Sequence, residues 1–342
     1  MGGGGLALVD GEKLSFSGPK ADLPGRGMVL ARAIALQLGI LVLTLAGAEL
    51  FLRIADFRDV RLIPEGSRLP YQHDPELGWY PVANKVTPSG DRLNSIGLRD
   101  IELAPSTGPT VLFIGDSFVY GTGVKAEDRF TERLREELPN ARIVNAGVAA
   151  YGTDQEFLLL KRLWSRVEPS VVVLVVCVDN DHDDNSTNSR HGHTLKPYLA
   201  KVGDEWRFLG QPVPRPQRYY FDDNWFARHS ALVRYIIVGY MHLRYPAVVV
   251  PDPTNQLVGM MRDYVEARGA KFLVGLQHDD PALEPFLTSQ KIPHTRFDGA
   301  ATIVNDDHWS PQGHATVAQR LMTLFAAGNL LGPPTSTYSA EK

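Results

Sequence analysis

Residues 170–178, SVVVLVVCV, carry no charge, and six of the nine are valine. Side chains branched at Cβ lose rotamers in a helix and fit a pleated surface. A strand with no polar alternation is covered on both faces, the usual state of a parallel sheet between helices. The chain around it repeats the pattern. TVLFIG (110–115) is a short apolar run, AEDRFTERLREEL an amphipathic helix, and ARIVNAG (141–147) a strand. TDQEFLLLKRLWSRV is a helix with Asp154 near its start. Later come the helix NQLVGMMRDYVEARG, the strand AKFLVGLQ, the short helix DPALEPFLTSQ and the short strand HTRFD. SPQGHATVAQRLMTLFAAG closes the series, with Ser310 as N-cap and Pro311 at the first helical position. Strands alternating with helices imply right-handed βαβ crossovers and an α/β fold on a parallel sheet.

The alternation has interruptions. From about 182 to 253 runs a polar, proline-punctuated insertion containing one expected helix, WFARHSALVRYIIVGYMHL. Residues 55–108 are rich in Pro and Gly and read as an irregular lead-in, with a few short strands around LNSIGLRD. The main domain then covers 109–328, and 329–342 read as a flexible tail. Residues 1–32 open glycine-rich and without periodicity, as a disordered segment does; Met28 is an alternative start.

Residues 33–54 read as one membrane helix. From Ala33 to Ala48 only Gln37 and Thr44 are polar, and the run must continue through Leu50, Phe51 and Leu52, since a span takes about 20 residues. Glu49 and Arg53, four apart with the acid first, can pair on one face. Two other readings stand: AGA at 46–48 resembles a signal-peptidase site, and a buried soluble helix has similar composition. Lys20, Arg26 and Arg32 before the helix and Arg53, Arg58, Arg61 and Arg68 after it leave its orientation open.

Composition excludes some classes. A net charge of −4 gives no nucleic-acid footprint. The single cysteine, Cys177, allows no internal disulfide and reads as a small buried hydrophobe. His182, His191 and His193 lie among acids at 181–193 but fit no fixed metal spacing, so no metal and no cofactor are expected. GTG at 121–123 is followed by no P-loop lysine.

Sites in open parallel sheets lie beyond the carboxyl ends of the strands. At those ends stand Gly115-Asp116-Ser117, then Asn145 with AGVAAYG, then Asp179-Asn180-Asp181, and before the last helix NDDHW with His308. One serine, one histidine beside acids and one asparagine make an inventory for nucleophilic acyl transfer. Gly115, Gly121 and Gly123 suggest a floor that lets an acyl group reach Ser117. Trp309 and Tyr151 read equally as walls of the site or as core.

These motifs resemble those of the SGNH hydrolases, or GDSL-type esterases. GDS is similar to the family's first block, NAGVAAYGTDQE to its second, VVLVVCVDND to its third and DDHWSPQGH to its last. LNSIGLRD and ELFLR resemble the lead-in of bacterial membrane-anchored members. The resemblance implies a three-layer, flavodoxin-like α/β/α fold and ester hydrolysis through an acyl-enzyme. It makes Ser117 the nucleophile, His308 the general base and Asp306 its partner, because Asn305 stands at the commoner acid position and Asp307 would have to turn back. It makes the Ser117 N–H, the Ala150 N–H and the Asn180 amide an oxyanion hole, with Ala150 where the family has glycine and Gly147 a weaker donor. The substrate is then a small-molecule or glycan ester, the partner a lipid bilayer, and the catalytic domain extracytoplasmic on a single-pass anchor. DDHW is also similar to a motif of exopolysaccharide O-acetyltransferases, so an O-acyltransferase is one alternative and a non-catalytic binding module another.

Overall fold

The structure is a computed structural model and describes Met1 and residues 25–62, 70–190 and 194–330. Residues 1–57 and 58–342 are two compact units. The first is built on helix α1 (Arg26–Ala55), which starts seven residues before the expected Ala33. Its stretch from Gly27 to Ala55 is 29 residues long, with a mean hydropathy of 2.1 in its most apolar window. At about 1.5 Å per residue that exceeds a hydrocarbon core of about 30 Å. Arg53 Nε donates to Glu49 Oε1 at 2.6 Å, the expected pair four apart. Most of the glycine-rich N-terminus and of the C-terminal tail lies outside the described residues.

The second unit begins with two short antiparallel strands, β1 (Tyr71–Asp74) and β2 (Gly78–Pro81). The sheet follows. β3 (Thr110–Gly115) leads through α2 (Ser117–Tyr120) and α3 (Phe130–Glu137) to β4 (Arg142–Gly147). Helix α4 (Thr153–Val167) crosses to β5 (Val171–Val176), which is followed by α5 (Asp181–Asn185). An insertion then carries the hairpins β6 (Ser189–Arg190) with β7 (Thr194–Leu195) and β8 (Tyr198–Val202) with β9 (Glu205–Leu209). It ends in α6 (Gln217–Asp223), α7 (Trp225–His229) and α8 (Ala231–Arg244). Alternation resumes with α9 (Thr254–Glu266), β10 (Lys271–Leu276), α10 (Glu284–Ser289), β11 (His294–Arg296) and α11 (Pro311–Ala327).

The sheet is parallel throughout, in the order β4-β3-β5-β10-β11. This is the expected three-layer α/β/α arrangement, with the flavodoxin-like order. The valine run explains itself here. Val172, Leu174 and Val176 pack with Leu160 and Leu163 of α4 and Leu257 and Met261 of α9. Val171, Val173 and Val175 pack on the other face with Phe130 and Leu134 of α3 and Leu321 and Phe325 of α11. Both alternating sets are buried, at about 1.5–3 kcal/mol for each such side chain.

The lead-in carries its short strands before LNSIGLRD, in β1, β2 and a bridge between Val86 and Arg92, while Arg99 and Asp100 within that stretch are buried. One expectation is corrected. The helix expected over WFARHSALVRYIIVGYMHL is two helices. Ser230 is extended (φ −125°, ψ 123°), and its hydroxyl caps α8 by accepting from Val233 N at 3.2 Å. Serine favours caps over helix interiors because its side chain competes for backbone groups.

His182 on α5 ties the insertion to the sheet. Its Nδ1 meets Asp252 Oδ2 at 2.6 Å and its Nε2 meets Asp280 Oδ2 at 2.8 Å. These bonds, Asp252 first, hold the imidazolium and raise its pKa from 6.5 to about 9 against the opposing effect of burial. The folded value lies above the unfolded one. The stabilisation is therefore complete below about 6.5 and lost as pH rises through about 9. Thermal melts followed by circular dichroism should show Tm falling across that window, and falling less in His182→Gln. Equal slopes would contradict the clamp.

Candidate active site

Ser117 stands where β3 runs out. Asp116 caps α2, its Oδ1 accepting from Phe118 N at 2.9 Å. Ser117 thus occupies the first position of a single helical turn at the carboxyl end of a central strand. Gly121 ends that turn in the left-handed region (φ 77°), its N–H bonding Ser117 O at 3.0 Å. The glycines serve packing more than substrate approach, which corrects the expected floor. A Cβ on Gly115 would overlap the Val119 side chain, and one on Gly121 the Arg129 side chain. Of the three only Gly123 lines the cleft.

His308 comes from the loop before α11. Its Nε2 lies 2.9 Å from Ser117 Oγ, and its Nδ1 lies 2.6 Å from Asp306 Oδ1. A carboxylate only accepts, so Nδ1 carries the proton and Nε2 is free to receive one. Asp306 Oδ1 also accepts the His308 backbone N–H at 2.9 Å. That bond first, and the imidazole bond second, hold the Asp306 carboxyl below its usual range. Asn305 takes the left-handed conformation (φ 61°) that turns the chain between Val304 and Asp306. Asp307 lines the cleft with His308. The Ser117 hydroxyl has a second acceptor, Asp116 Oδ2, at the longer distance of 3.2 Å.

Asn180 follows β5 and hydrogen-bonds the buried Asp116 carboxyl through its side chain. Its Oδ1 is buried with no partner among the described residues. Burial pushes the Asp116 carboxyl up, opposed by hydrogen bonds from Phe118 N–H, Ser117 and Asn180. Ala150 lines the same cleft, and its φ is 68°, a left-handed value that costs a residue with a Cβ about 1–2 kcal/mol. Gly147 does not line it. Its N–H donates to Asn145 Oδ1 at 3.0 Å, and a Cβ there would overlap the Tyr120 backbone nitrogen.

Ser117, His308, Ala150 and Asn180 thus share a cleft of about 780 Å³. Thr87, Pro88 and Ser89 of the lead-in form part of its wall, and Lys125 and Arg190 stand there with the acids Asp179 and Asp307. Tyr151 and Trp309 are core. The Tyr151 hydroxyl donates to Trp79 O at 2.5 Å, and Trp309 packs edge-on to Phe118, 4.8 Å between centroids. Sequence reasoning missed Arg99. Its guanidinium donates to Tyr120 O at 3.0 Å, Gly121 O at 2.6 Å and Val124 O at 2.8 Å, fixing the loop after the serine. The signal was the Arg-Asp pair ending LNSIGLRD in an otherwise irregular segment. No group of three or more metal-ligating side chains occurs among the described residues, and His191 and His193 lie outside them.

No family model and no curated protein matches the chain. Solved structures of GDSL and SGNH esterases are similar to it at low identity. "Crystal Structure of TesA" is 14% identical, covers 64% of this chain and 98% of that one, and has a TM-score of 0.37. The psychrotrophic esterase EstA from Pseudoalteromonas sp. is 9% identical over 64% of this chain and 98% of that one, with a TM-score of 0.38. AlinE4, an SGNH-hydrolase family esterase, is 14% identical over 67% and 95%, with a TM-score of 0.34.

The strain at Ala150 is open to measurement. Ala150→Gly relieves the left-handed cost while adding unfolded-state entropy, so denaturant unfolding should show a gain of up to about 1 kcal/mol. Ala150→Val, with a branched side chain at the same φ, should lose more than about 1 kcal/mol. A loss in both variants would contradict the assigned backbone conformation.

Proposed function

We propose that the chain is a serine esterase of SGNH type that hydrolyses an ester through an acyl-enzyme. One observation carries this reading: His308 bridges Ser117 Oγ and Asp306 Oδ1 at 2.9 and 2.6 Å. In the mechanism Ser117 Oγ attacks the ester carbonyl carbon as its proton passes to His308 Nε2. The Nδ1–H bond to Asp306 stabilises the imidazolium and keeps the ring in the working tautomer. The carbonyl oxygen, now an oxyanion, accepts from the Ser117 and Ala150 backbone N–H groups and the Asn180 amide. The C–O bond to the alcohol breaks, and His308 Nε2–H protonates the leaving oxygen. A water then gives its proton to His308 and attacks the acyl carbon, and the Ser117 ester collapses to free serine and a carboxylic acid.

The wall formed by Thr87 and Ser89, with Lys125 and Arg190, supports a polar alcohol portion such as a sugar bearing a short acyl group. A polysaccharide hydroxyl in place of water would make the same machinery an O-acyltransferase. The length and apolarity of α1 support a membrane anchor; the resemblance to anchored family members supports a catalytic domain outside the cytoplasmic membrane.

The reading is checked on the detergent-solubilised full chain with p-nitrophenyl esters of graded acyl length. Short esters should turn over fastest. Asp306→Asn should lose about 10²–10⁴ in kcat by favouring the wrong tautomer, while Asp307→Asn stays near wild type. Asn180→Ala should lose about 10²–10³ in kcat. The reverse ranking of the two acids would overturn the assignment. Turnover that appears only when a sugar alcohol is added would make the chain a transferase.

A further inference from the structure

Helix α8 buries one arginine among apolar residues and leaves an apolar stripe outside. Ala231, Arg234, Val238 and Met241 are its buried residues. Among the described residues the Arg234 guanidinium bonds backbone, with Nε donating to Val60 O at 2.5 Å and Nη1 to Ala227 O at 2.7 Å. The outward side holds Tyr235, Ile236, Tyr240 and Leu243, with Ile236 61% and Leu243 87% exposed. At 3.6 residues per turn these four fall on an arc of about 140°. On α7, Trp225 and Phe226 are also exposed, their rings 5.2 Å apart. Single exposed apolar residues are common, but a continuous outward stripe marks a contact.

Charge and chain connection say what the contact is. From Asn224 to Pro251 there is no Asp or Glu, while Arg228, His242 and Arg244 are exposed. Val60 packs with Phe221, Ala227 and Val238 in a small apolar cluster, so the turn Arg58–Val60 is part of this helical group. Helix α1 ends at Ala55. Two residues, Asp56 and Phe57, separate that end from Arg58, three Cα steps reaching at most about 11 Å. Aromatic residues with cationic neighbours on the same two helices are the composition of a helix lying in the headgroup layer.

We propose that the outward face of α7 and α8 lies in the interface of an anionic phospholipid bilayer, the one that α1 spans. Trp225, Tyr235 and Tyr240 sit at headgroup level, Ile236 and Leu243 reach the acyl boundary, and Arg228 and Arg244 meet lipid phosphates. The contact holds the catalytic unit against the membrane, where a single tether would leave it free to swing. It rests on reading α1 as a membrane span.

The test uses the full chain in nanodiscs of phosphatidylcholine with a minority of phosphatidylglycerol. Of the five tryptophans, Trp79 and Trp309 are buried, Trp164 and Trp206 are half-buried and Trp225 is exposed. Lipid brominated near the headgroup should quench the emission, and Trp225→Phe should remove most of that quenching. The double variant Ile236→Glu with Leu243→Glu should also reduce it while leaving turnover of a soluble ester unchanged. Quenching that is absent, or that survives Trp225→Phe, while the chain stays in the discs overturns the interfacial contact alone. A chain that leaves the disc fraction overturns the anchor and the contact with it. Two copies per disc, reduced to one by Ile236→Glu, would show a second copy covering the face and overturn the proposal.

Discussion

The site depends on how closely α2 approaches the end of β4. Gly147 makes the approach possible, because any side chain there would overlap the backbone at Val119 and Tyr120. Asn145 fixes it: its Nδ2 donates to Val119 O at 2.7 Å and to Thr131 Oγ1 at 3.0 Å, and its Oδ1 accepts the Gly147 N–H. Asp100 joins from the lead-in, accepting the Asn145 N–H at 2.8 Å and pairing with Arg135 at 2.8 Å. Ser117 is thereby held by two strand ends at once. The histidine arrives on a separately braced loop, where Ile303 N bonds His308 O at 2.9 Å and Trp309 is buried beside it. Two rigid supports meeting at one 2.9 Å bond form an arrangement set before substrate enters.

Behind the site lies an acidic layer. Asp116, Asp154, Glu156, Asp181 and Asp184 are all buried. Lys196 from the insertion pairs with Asp154, with both side chains fully buried. Arg190 pairs with Asp184. Neither Glu156 oxygen has a partner among the described residues, and burial, with Asp181 and Asp116 adding repulsion, pushes its carboxyl well above the usual range. Desolvation opposes ionisation there and favours the neutral carboxyl. The insertion is thus part of the site's support. Removing one partner of a buried pair such as Lys196 and Asp154 typically costs about 3–5 kcal/mol.

The sheet was legible because its strands are short, apolar and β-branched, and because helices of opposite periodicity separate them. Ser117 and His308 were legible as polar residues at the ends of those runs. The choice between Asp306 and Asp307 was open to spacing alone; geometry brings Asp306 to the imidazole through the left-handed turn at Asn305. What the sequence hid was long-range. Nothing local says that Arg99 reaches three carbonyls after the serine, or that Lys196 reaches Asp154 across 42 positions. The outward stripe on α8 was hidden for a different reason. Its helix looks amphipathic in either direction, and only packing shows that the arginine is inside.

If His308 makes Ser117 a nucleophile, reaction of the full chain with a fluorophosphonate, followed by peptide mass mapping, should give one phosphonyl adduct, on Ser117. It should be absent from Ser117→Ala and slowed by orders of magnitude in His308→Gln. An adduct on another residue, or labelling of Ser117 at the same rate without His308, would contradict that assignment.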